Sequence, residues 1–499
     1  MSEASSSDGR KTLVMTRQQE RYEQNTPLVQ LLRMSTGPLV YQVGVAIHDA
    51  VDMLLISRAF DDEVVQIIGF GSMIRYLCMS VSIFFSQACV GRSSGLIGES
   101  RFEEAGQVVV DIYRIAFFSM IIVPIIFYFL TKPILVFMGC TAEMAERALP
   151  YLTPILCMMP FIALFQISCG IIQSEGRSML SGLMQLLAFI LNCGFFSPIL
   201  LFAIKVDFKF AGIGFALSQA IPGIILTSLM LSKKFDTQAS WKMLKGKFCK
   251  ETWEGIKLAS PFIINVIAGT IPPVIMINFM MTEAFAEGIG AEVGAVYSVF
   301  LKIQPIVNSF SISFSDGMLS SGSYAHGSLN HVRFSKLLTW DFILNMVSQA
   351  IFLPLLCYRP DVVVKIWLSD PASLKISRKF VAIPFYSNWV NGVNESVTAL
   401  LQCLRYSWTA LIPSIGRGVF YIIFAFVFRA IPHNGAIFML YAYVATDAGI
   451  LLTDIAVSII PLKRVKQFIE QEKEADISNK EDEEDYNEEE DKDDNTVSL

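Results

Sequence analysis

Apolar residues in this chain neither alternate at the two-residue period of a strand nor keep to one stripe of a surface helix. They come in blocks of about 20 residues or more, the length an α-helix needs to cross a bilayer. Twelve blocks can be read, at 36–58, 65–90, 113–138, 150–173, 178–204, 210–232, 258–282, 293–318, 337–358, 380–403, 408–429 and 436–461. The polar stretches between them are short, apart from a basic stretch after the sixth block and a long tail after the twelfth. This pattern predicts an all-α integral membrane protein with twelve transmembrane helices. Its parts are an N-terminal segment 1–35, a six-helix bundle 36–232, a basic linker 233–257, a second six-helix bundle 258–461 and a tail 462–499.

Composition narrows the class further. Of 499 residues, 53% are hydrophobic, 12% aromatic and 17% charged, where soluble proteins carry about a quarter charged residues. A mean hydropathy of +0.51 cannot be buried in one soluble core. The net charge of -6 is unevenly spread: from Glu470 onward fifteen acids face three lysines, so the tail carries -12 and the rest +6. Such a run buries too little apolar surface to offset its ordering entropy. Residues 470–499 are therefore expected to be disordered, either as a solubilising extension or as a site for a protein partner.

Lys and Arg in short loops set orientation. They gather in the N-terminal segment (Arg10, Lys11, Arg17, Arg21, Arg33), in the linker (Lys233 to Lys257) and after helix 12 (Lys463, Arg464, Lys466). Both termini are thus expected in the cytoplasm, with the chain in the plasma membrane or an internal acidic compartment. The basic 9/10 loop (Lys375, Arg378, Lys379) runs against this rule. The first 25 or so residues are polar and hold no cleavable signal, so helix 1 should direct insertion. The nine cysteines are scattered without metal-ligand spacing and are expected to be free thiols. No phosphate loop, HExxH or Ser/His/Asp arrangement appears. That leaves no basis for an enzyme, a cofactor, a metal site or nucleic-acid binding, and suggests a monomer in the bilayer acting on a small organic substrate.

An internal repeat relates the two bundles. Phe85-Ser86-Gln87 after helix 2 matches Phe314-Ser315-Asp316 after helix 8 at an offset of 229. Asp111 matches Asp341 at 230, and Pro38 matches Pro261 at 223. The offset joins segments of the same orientation, so the repeat is parallel, about an axis along the membrane normal. Two such bundles place a cavity at their interface, where rocking gives alternating access.

These residues resemble those of the multidrug and toxic compound extrusion (MATE) transporters over about residues 30–465. The likeness rests on Val51-Asp52 in helix 1 and on Phe85-Ser86-Gln87 with Gly91 and Gly95. It rests also on Gly212-Ile213-Gly214 with Ala216, Ser218 and Gln219, and on Leu404-Arg405. It implies a twelve-helix antiporter that exports organic, cationic drugs or metabolites against inward proton or sodium flow. Under it, Asp52 falls on the coupling acid of helix 1, Asn192 on an amide of the same ion site, and Glu395 on or beside a helix 10 acid. The sequence departs from the family at Phe196, where a second acid is common, and at Gly269, where a helix 7 glutamate is common. A lipid-linked saccharide or phospholipid flippase of the same superfamily is the competing reading, with Arg75 and Lys302 as its cationic candidates. A scaffold signalling through the acidic tail is a third.

An ionisable side chain at the bilayer centre costs at least about 2.5 kcal/mol and is kept mainly for a task. Helix 1 carries His48, Asp49 and Asp52. His48 and Asp52 are four apart on one face, and Asp49 and Asp52 are three apart, so both carboxylates could turn toward one lumen. With Asn192 they form the candidate ion-coupling set, against the alternative that they only satisfy one another in packing. Glu395, Asn394, Asp447 and Gln219 are the candidate substrate-binding residues. Asp454 lies on nearly the same face as Asp447, where it could line a cavity or pair with a neighbouring helix. Pro272 and Pro273 should interrupt helix 7, as a gate or a static kink.

Overall fold

The computed structural model describes residues 17–496 apart from 61, 138–141, 367–370 and 432–434, with side chains to Glu474. Among these, twelve long helices and no strand are found. The first bundle holds α1 Pro27–Ala59, α2 Asp62–Gly98, α3 Phe102–Phe137, α4 Ala142–Ser174, α5 Ser178–Ile204 and α6 Ile213–Leu231. The second holds α7 Lys250–Ala286, α8 Gly290–Gly327, α9 His331–Tyr358, α10 Trp389–Cys403, α11 Ser407–Ala430 and α12 Tyr441–Thr496. Nine of the described helices are long and apolar enough to cross a membrane by length and composition. The other three, α7, α8 and α10, carry the polar side chains that line the interior. Large apolar residues such as Phe118, Ile122, Phe129, Leu452 and Ile460 lie exposed around the outside, as a lipid-facing belt requires.

Several boundaries differ from the hydropathy blocks. α1 begins at Pro27 and α3 at Phe102, while α8 continues to Gly327, because a helix does not end where hydrocarbon does. The block at 380–403 is divided into Ala382–Phe385 and α10, preceded by Pro371–Phe380. The expected interruption of α7 is absent: its backbone is helical through Pro272 and Pro273, and Pro272 is buried. The tail is also not the free segment expected. Phe468 stacks on His331 with centroids 4.7 Å apart, and Glu472 accepts from the His331 and Val332 amides at 2.7 and 3.1 Å. A carboxylate there satisfies orphan donors at the N-terminus of α9. The backbone stays helical to Thr496, since Glu and Lys are good helix formers and extending a helix needs no new nucleus.

Packing repeats between the lobes. α2 on α4, α1 on α5 and α4 on α6 in the first lobe recur as α8 on α10, α7 on α11 and α10 on α12 in the second. The lobes cross through α1 on α8, its counterpart α7 on α2, and α2 on α8. This seam is closely packed at the end that carries the helix 17–23. There Gly98 meets Tyr324 and Gly327 so closely that a Cβ on Gly98 would lie 2.9 Å from the Ser328 amide nitrogen. Asp111 of α3 reaches across to the start of α7, accepting from the Cys249 amide at 2.7 Å and the Thr252 hydroxyl at 3.0 Å.

A charge network closes the same end. Buried Arg92 of α2 contacts Glu251 of α7 at 2.5 Å and Glu99 at 3.1 Å. Arg101 binds Glu99 and Glu251 at 2.6 and 2.8 Å, and Arg405 of the second lobe also binds Glu99. The short helix Arg17–Glu23 adds a wedge. Tyr22 is buried, donates to Ser174 O at 2.9 Å in the first lobe, and bonds Ser320 Oγ at 2.8 Å in the second. Its ring stacks on Tyr324 at 4.4 Å.

Burial alone would push the Glu99 carboxyl up, but the Arg101 hydrogen bonds, the Arg92 charge and the Arg405 bond outweigh it and hold it at about 2. A depressed carboxyl stabilises the fold above its unfolded value of 4.5 and loses that contribution as pH falls toward about 2. Melting of the purified protein should therefore show a Glu99-dependent contribution that is constant at neutral pH and disappears only below about pH 4.5. Glu99→Gln should lower the neutral melting temperature and flatten that acid limb. An unchanged acid limb in the variant would rule out Glu99 as its source.

Candidate functional site

In the first lobe, the sequence of α5 brings an amide to α1 through an irregular turn. Pro198 has no N–H to continue the α-helical ladder, and residues Asn192–Phe196 and Ile199–Ile204 form wider π-type turns. The Ser197 amide accordingly bonds back five residues to Asn192 O. Such turns re-aim side chains and occur often at functional sites. Here Asn192 Nδ2 lies 2.8 Å from His48 Nε2 and 3.1 Å from Asp52 Oδ1. Ser197 Oγ lies 2.9 Å from Asn192 Oδ1 and 3.4 Å from Asp52 Oδ1. Gly214 of α6 leaves room for this: a Cβ there would stand 3.0 Å from both Asn192 Oδ1 and Ser197 Oγ.

The bonds fix the chemistry of His48. With Asn192 Nδ2 donating, Nε2 must accept, so the ring proton sits on Nδ1, 3.2 Å from Asp49 Oδ1. Asp49 in turn receives Arg75 of α2 at 2.9 Å, and Arg75 lies over the Phe215 ring at 4.4 Å. A continuous chain thus runs Arg75, Asp49, His48, Asn192, Asp52, Ser197. His48, Asp52 and Cys193 also present ligand atoms within 4.8 Å of one another.

The second lobe instead opens a cavity of about 380 Å³. Its wall carries Asp316 of α8, Glu395 of α10 and Arg417 of α11, with Tyr297, Tyr421 and Tyr443. Arg417 donates to Asn391 Oδ1 at 2.7 Å and Asn394 Oδ1 at 3.1 Å. Asn394 passes this on to Asp454, whose oxygens accept its amide at 3.0 and 3.2 Å. A second string of amides leads from Asn391 through Asn388 and Gln349 to Ser311. The cavity wall is thereby held by fully engaged side chains behind it, while no hydrogen bond reaches the Glu395 carboxylate from the described residues.

Four candidates, His48, Asp49, Asp52 and Asn192, come together. Asp49 and Asp52 do not form the carboxylate pair their spacing suggested: Asp49 turns to Arg75 and is half-exposed, whereas Asp52 is buried. Of the substrate candidates, Glu395 lines the cavity. Asn394 and Asp447 stand behind it, Asp447 accepting from Ser387. Gln219 is buried between α4 and α6, accepting from Gln166 at 3.1 Å, and is not on this wall. Arg75, read from sequence as a flippase residue, belongs to the α1 cluster. Sequence reasoning missed Ser197, Arg417 as a cavity residue, and Asp316 beyond its place in the repeat. The Gln87 and Asp316 pairing in that repeat was the signal available.

Comparison with known proteins agrees with this architecture. Residues 39–196 match the family model MatE. The multidrug export protein MepA of Staphylococcus haemolyticus (strain JCSC1435) is 22% identical over 381 residues, 74% of this chain and 82% of that protein. A MOP superfamily transporter from Pyrococcus furiosus Vc1 (DSM3638), for which reverse polarity of the binding pocket suggests a different function, superposes with a TM-score of 0.78. It is 15% identical, covering 91% of this chain and 99% of that one. A multidrug resistance MATE family transporter of the MOP superfamily in an outward-facing conformation gives 0.76 at 14% identity, covering 92% and 100%. This multi-pass membrane protein is thus similar to the MatE family over residues 39–196 and shares its fold with solved MATE transporters.

Proposed function

We propose that the protein is a cation-coupled antiporter that exports an organic cation by alternating access between its two lobes. The observation that carries this reading is the cavity wall, where the unpartnered carboxylate of Glu395 stands with one guanidinium, Arg417, among tyrosine faces. Aromatic faces attract organic cations, and a carboxylate without a hydrogen-bond donor is free to pair with one. A flippase for an anionic head group calls for a basic wall, and this lining does not favour it. The protein works as a monomer, with its termini in the cytoplasm of a cell whose outer or organellar membrane it occupies. The closed terminus end then corresponds to a cavity reached from the other side.

The coupling ion in this reading is the proton. Alkali cations prefer oxygen ligands, whereas the ligand atoms that His48, Cys193 and Asp52 bring together are an imidazole, a thiol and a single carboxylate. A proton arriving at His48 Nε2 would meet the Asn192 amide donor, so the amide must turn and release Asp52. That change is local, and it can drive transport only if the two lobe arrangements hold the proton with different affinity. Pro272, in a continuous α7, would act through packing against Gly418 of α11 rather than through a break. The acidic tail, docked through Glu472, has no part in the cycle.

In liposomes, efflux of a fluorescent organic cation should follow an imposed pH gradient and ignore a sodium gradient. Asp52→Asn should abolish the gradient dependence while leaving cation binding, and Glu395→Gln should weaken that binding by about tenfold, or about 1.4 kcal/mol. Sodium-driven efflux, or Asp52→Asn as active as wild type, would overturn the assignment.

Gly214→Ala adds a methyl group against Asn192 and Ser197. It should impair coupling as strongly as Asp52→Asn while leaving the cavity's affinity intact. Equal loss of binding and coupling would show that the two lobes' sites are not separable in this way.

A further inference from the structure

Gln87 of α2 and Asp316 of α8 occupy equivalent positions in the two lobes, and they bond to each other: Gln87 Nε2 donates to Asp316 Oδ1 at 2.7 Å. A residue touches its own equivalent only where the axis relating the two copies passes between them. The pair therefore marks the pseudo-twofold axis. Both residues line the cavity. On the terminus side of them, the chain is closed by Gly317 against Leu31 and Ser35 of α1 and by Gln173 of α4, which donates to the Asp316 main-chain oxygen at 3.3 Å. The pair forms the floor of the cavity, at the seam that must part for access from the other side.

The bonding of this pair is incomplete. Gln87 Oε1 is buried without a hydrogen-bond partner among the described residues, and an unsatisfied buried oxygen costs about 1–3 kcal/mol. An ionised carboxylate only accepts and cannot satisfy it. A neutral carboxyl can, because it carries one O–H. Beside a primary amide it closes a two-bond ring, with amide N–H to carboxyl C=O and carboxyl O–H to amide C=O.

We infer that Asp316 is a positioning residue that gates the floor: its neutral carboxyl closes a two-bond ring with Gln87 across the axis and holds the lobes together. Loss of the proton to water leaves one bond, an orphan oxygen and a charge at the seam, and the lobes part on the terminus side. The proton is taken up from cavity water while the floor is shut and is given up to water on the other side as it opens.

The charged groups around Asp316 are few. Glu395 of α10 and Arg417 of α11 share the cavity wall with it. Arg92 of α2 is committed to Glu99 and Glu251, and Asp341 of α9 to Asn345. The faces of α1, α4 and α7 toward it bring Ser35, Gln173 and Asn265, and the N-terminal helix ends in Tyr22 on Ser320. Glu99 stays ionised far below neutrality, so the network at the terminus end does not supply the same response.

This inference rests on the alternating-access reading, and its test needs neither substrate nor gradient. Amide hydrogen exchange of the full-length protein would be followed over 86–98 and 317–327, corrected for the intrinsic pH dependence of exchange. In wild type, alkaline buffer should speed exchange there by about tenfold over acid. Asp316→Asn supplies a donor and an acceptor permanently and should exchange slowly at every pH. Asp316→Ala should exchange fast at every pH, and Gln87→Glu should be slow only in acid. Size-exclusion profiles and melting of Asp316→Asn establish that it is folded. A wild-type pH response retained in Asp316→Asn, or identical behaviour of the Asn and Ala variants, would overturn the gate. An intact switch in a protein that moves no organic cation would instead sink the antiporter reading and leave the gate standing.

Discussion

A carboxylate inside a hydrocarbon slab must find its hydrogen bonds within the protein, because lipid has none to give. Both lobes are arranged around that requirement. Asp52 finds Asn192 and Ser197, Asp49 finds Arg75 and His48, and Asp454 finds Asn394. Apart from His48, these partners come from other helices, so satisfying the carboxylates also fixes which helices stand side by side. Among the groups that stand outside this rule are the free carboxylate of Glu395 and the orphan oxygen of Gln87. Both open on the cavity, where something other than protein is available to bind.

The two lobes meet the same requirement differently. In the first, α5 loosens into π-type turns around Pro198 and swings Asn192 onto α1, leaving a small closed cluster. In the second, the equivalent helix α11 stays regular and presents Arg417, whose charge reaches Asp454 through Asn394. The result there is an open wall with its support set one layer back. A compact cluster suits a proton, and a roomy wall suits an organic molecule. The symmetry of the packing thus coexists with a division of chemistry between the halves.

Much of this could be read from the residues. The twelve helices, the two parallel halves and the grouping of His48, Asp49 and Asp52 follow from hydropathy blocks, a repeat offset and helical spacing, and the family resemblance adds Asn192 to that group. What could not be read depends on rotation of helices about their axes. Spacing places Asp49 and Asp52 near one face, but only the position of Arg75 on α2 decides that Asp49 turns away. Gln219 and Asp447 looked free because their partners, Gln166 and Ser387, lie 53 and 60 residues away in sequence. The acidic tail misled for another reason: composition foretells the lack of a core, but it does not show that Glu472 meets the bare amides opening α9.

The contacts across the seam are layered by what can break them. At the terminus end, Arg92 and Arg101 hold Glu99 and Glu251 by charge, which persists across the whole physiological pH range because the Glu99 carboxyl is held so far down. Tyr22 adds a wedge that depends on packing and on neutral hydrogen bonds. In the proposed gate the innermost layer, Gln87 on Asp316, changes its number of bonds with a single proton. A seam built solely of fixed ion pairs would stay shut, and one built solely of titratable pairs would leak with every fluctuation in pH. Setting one switchable pair on the axis, above a constant clamp, lets the switch bias the equilibrium while the clamp sets how far it must be biased.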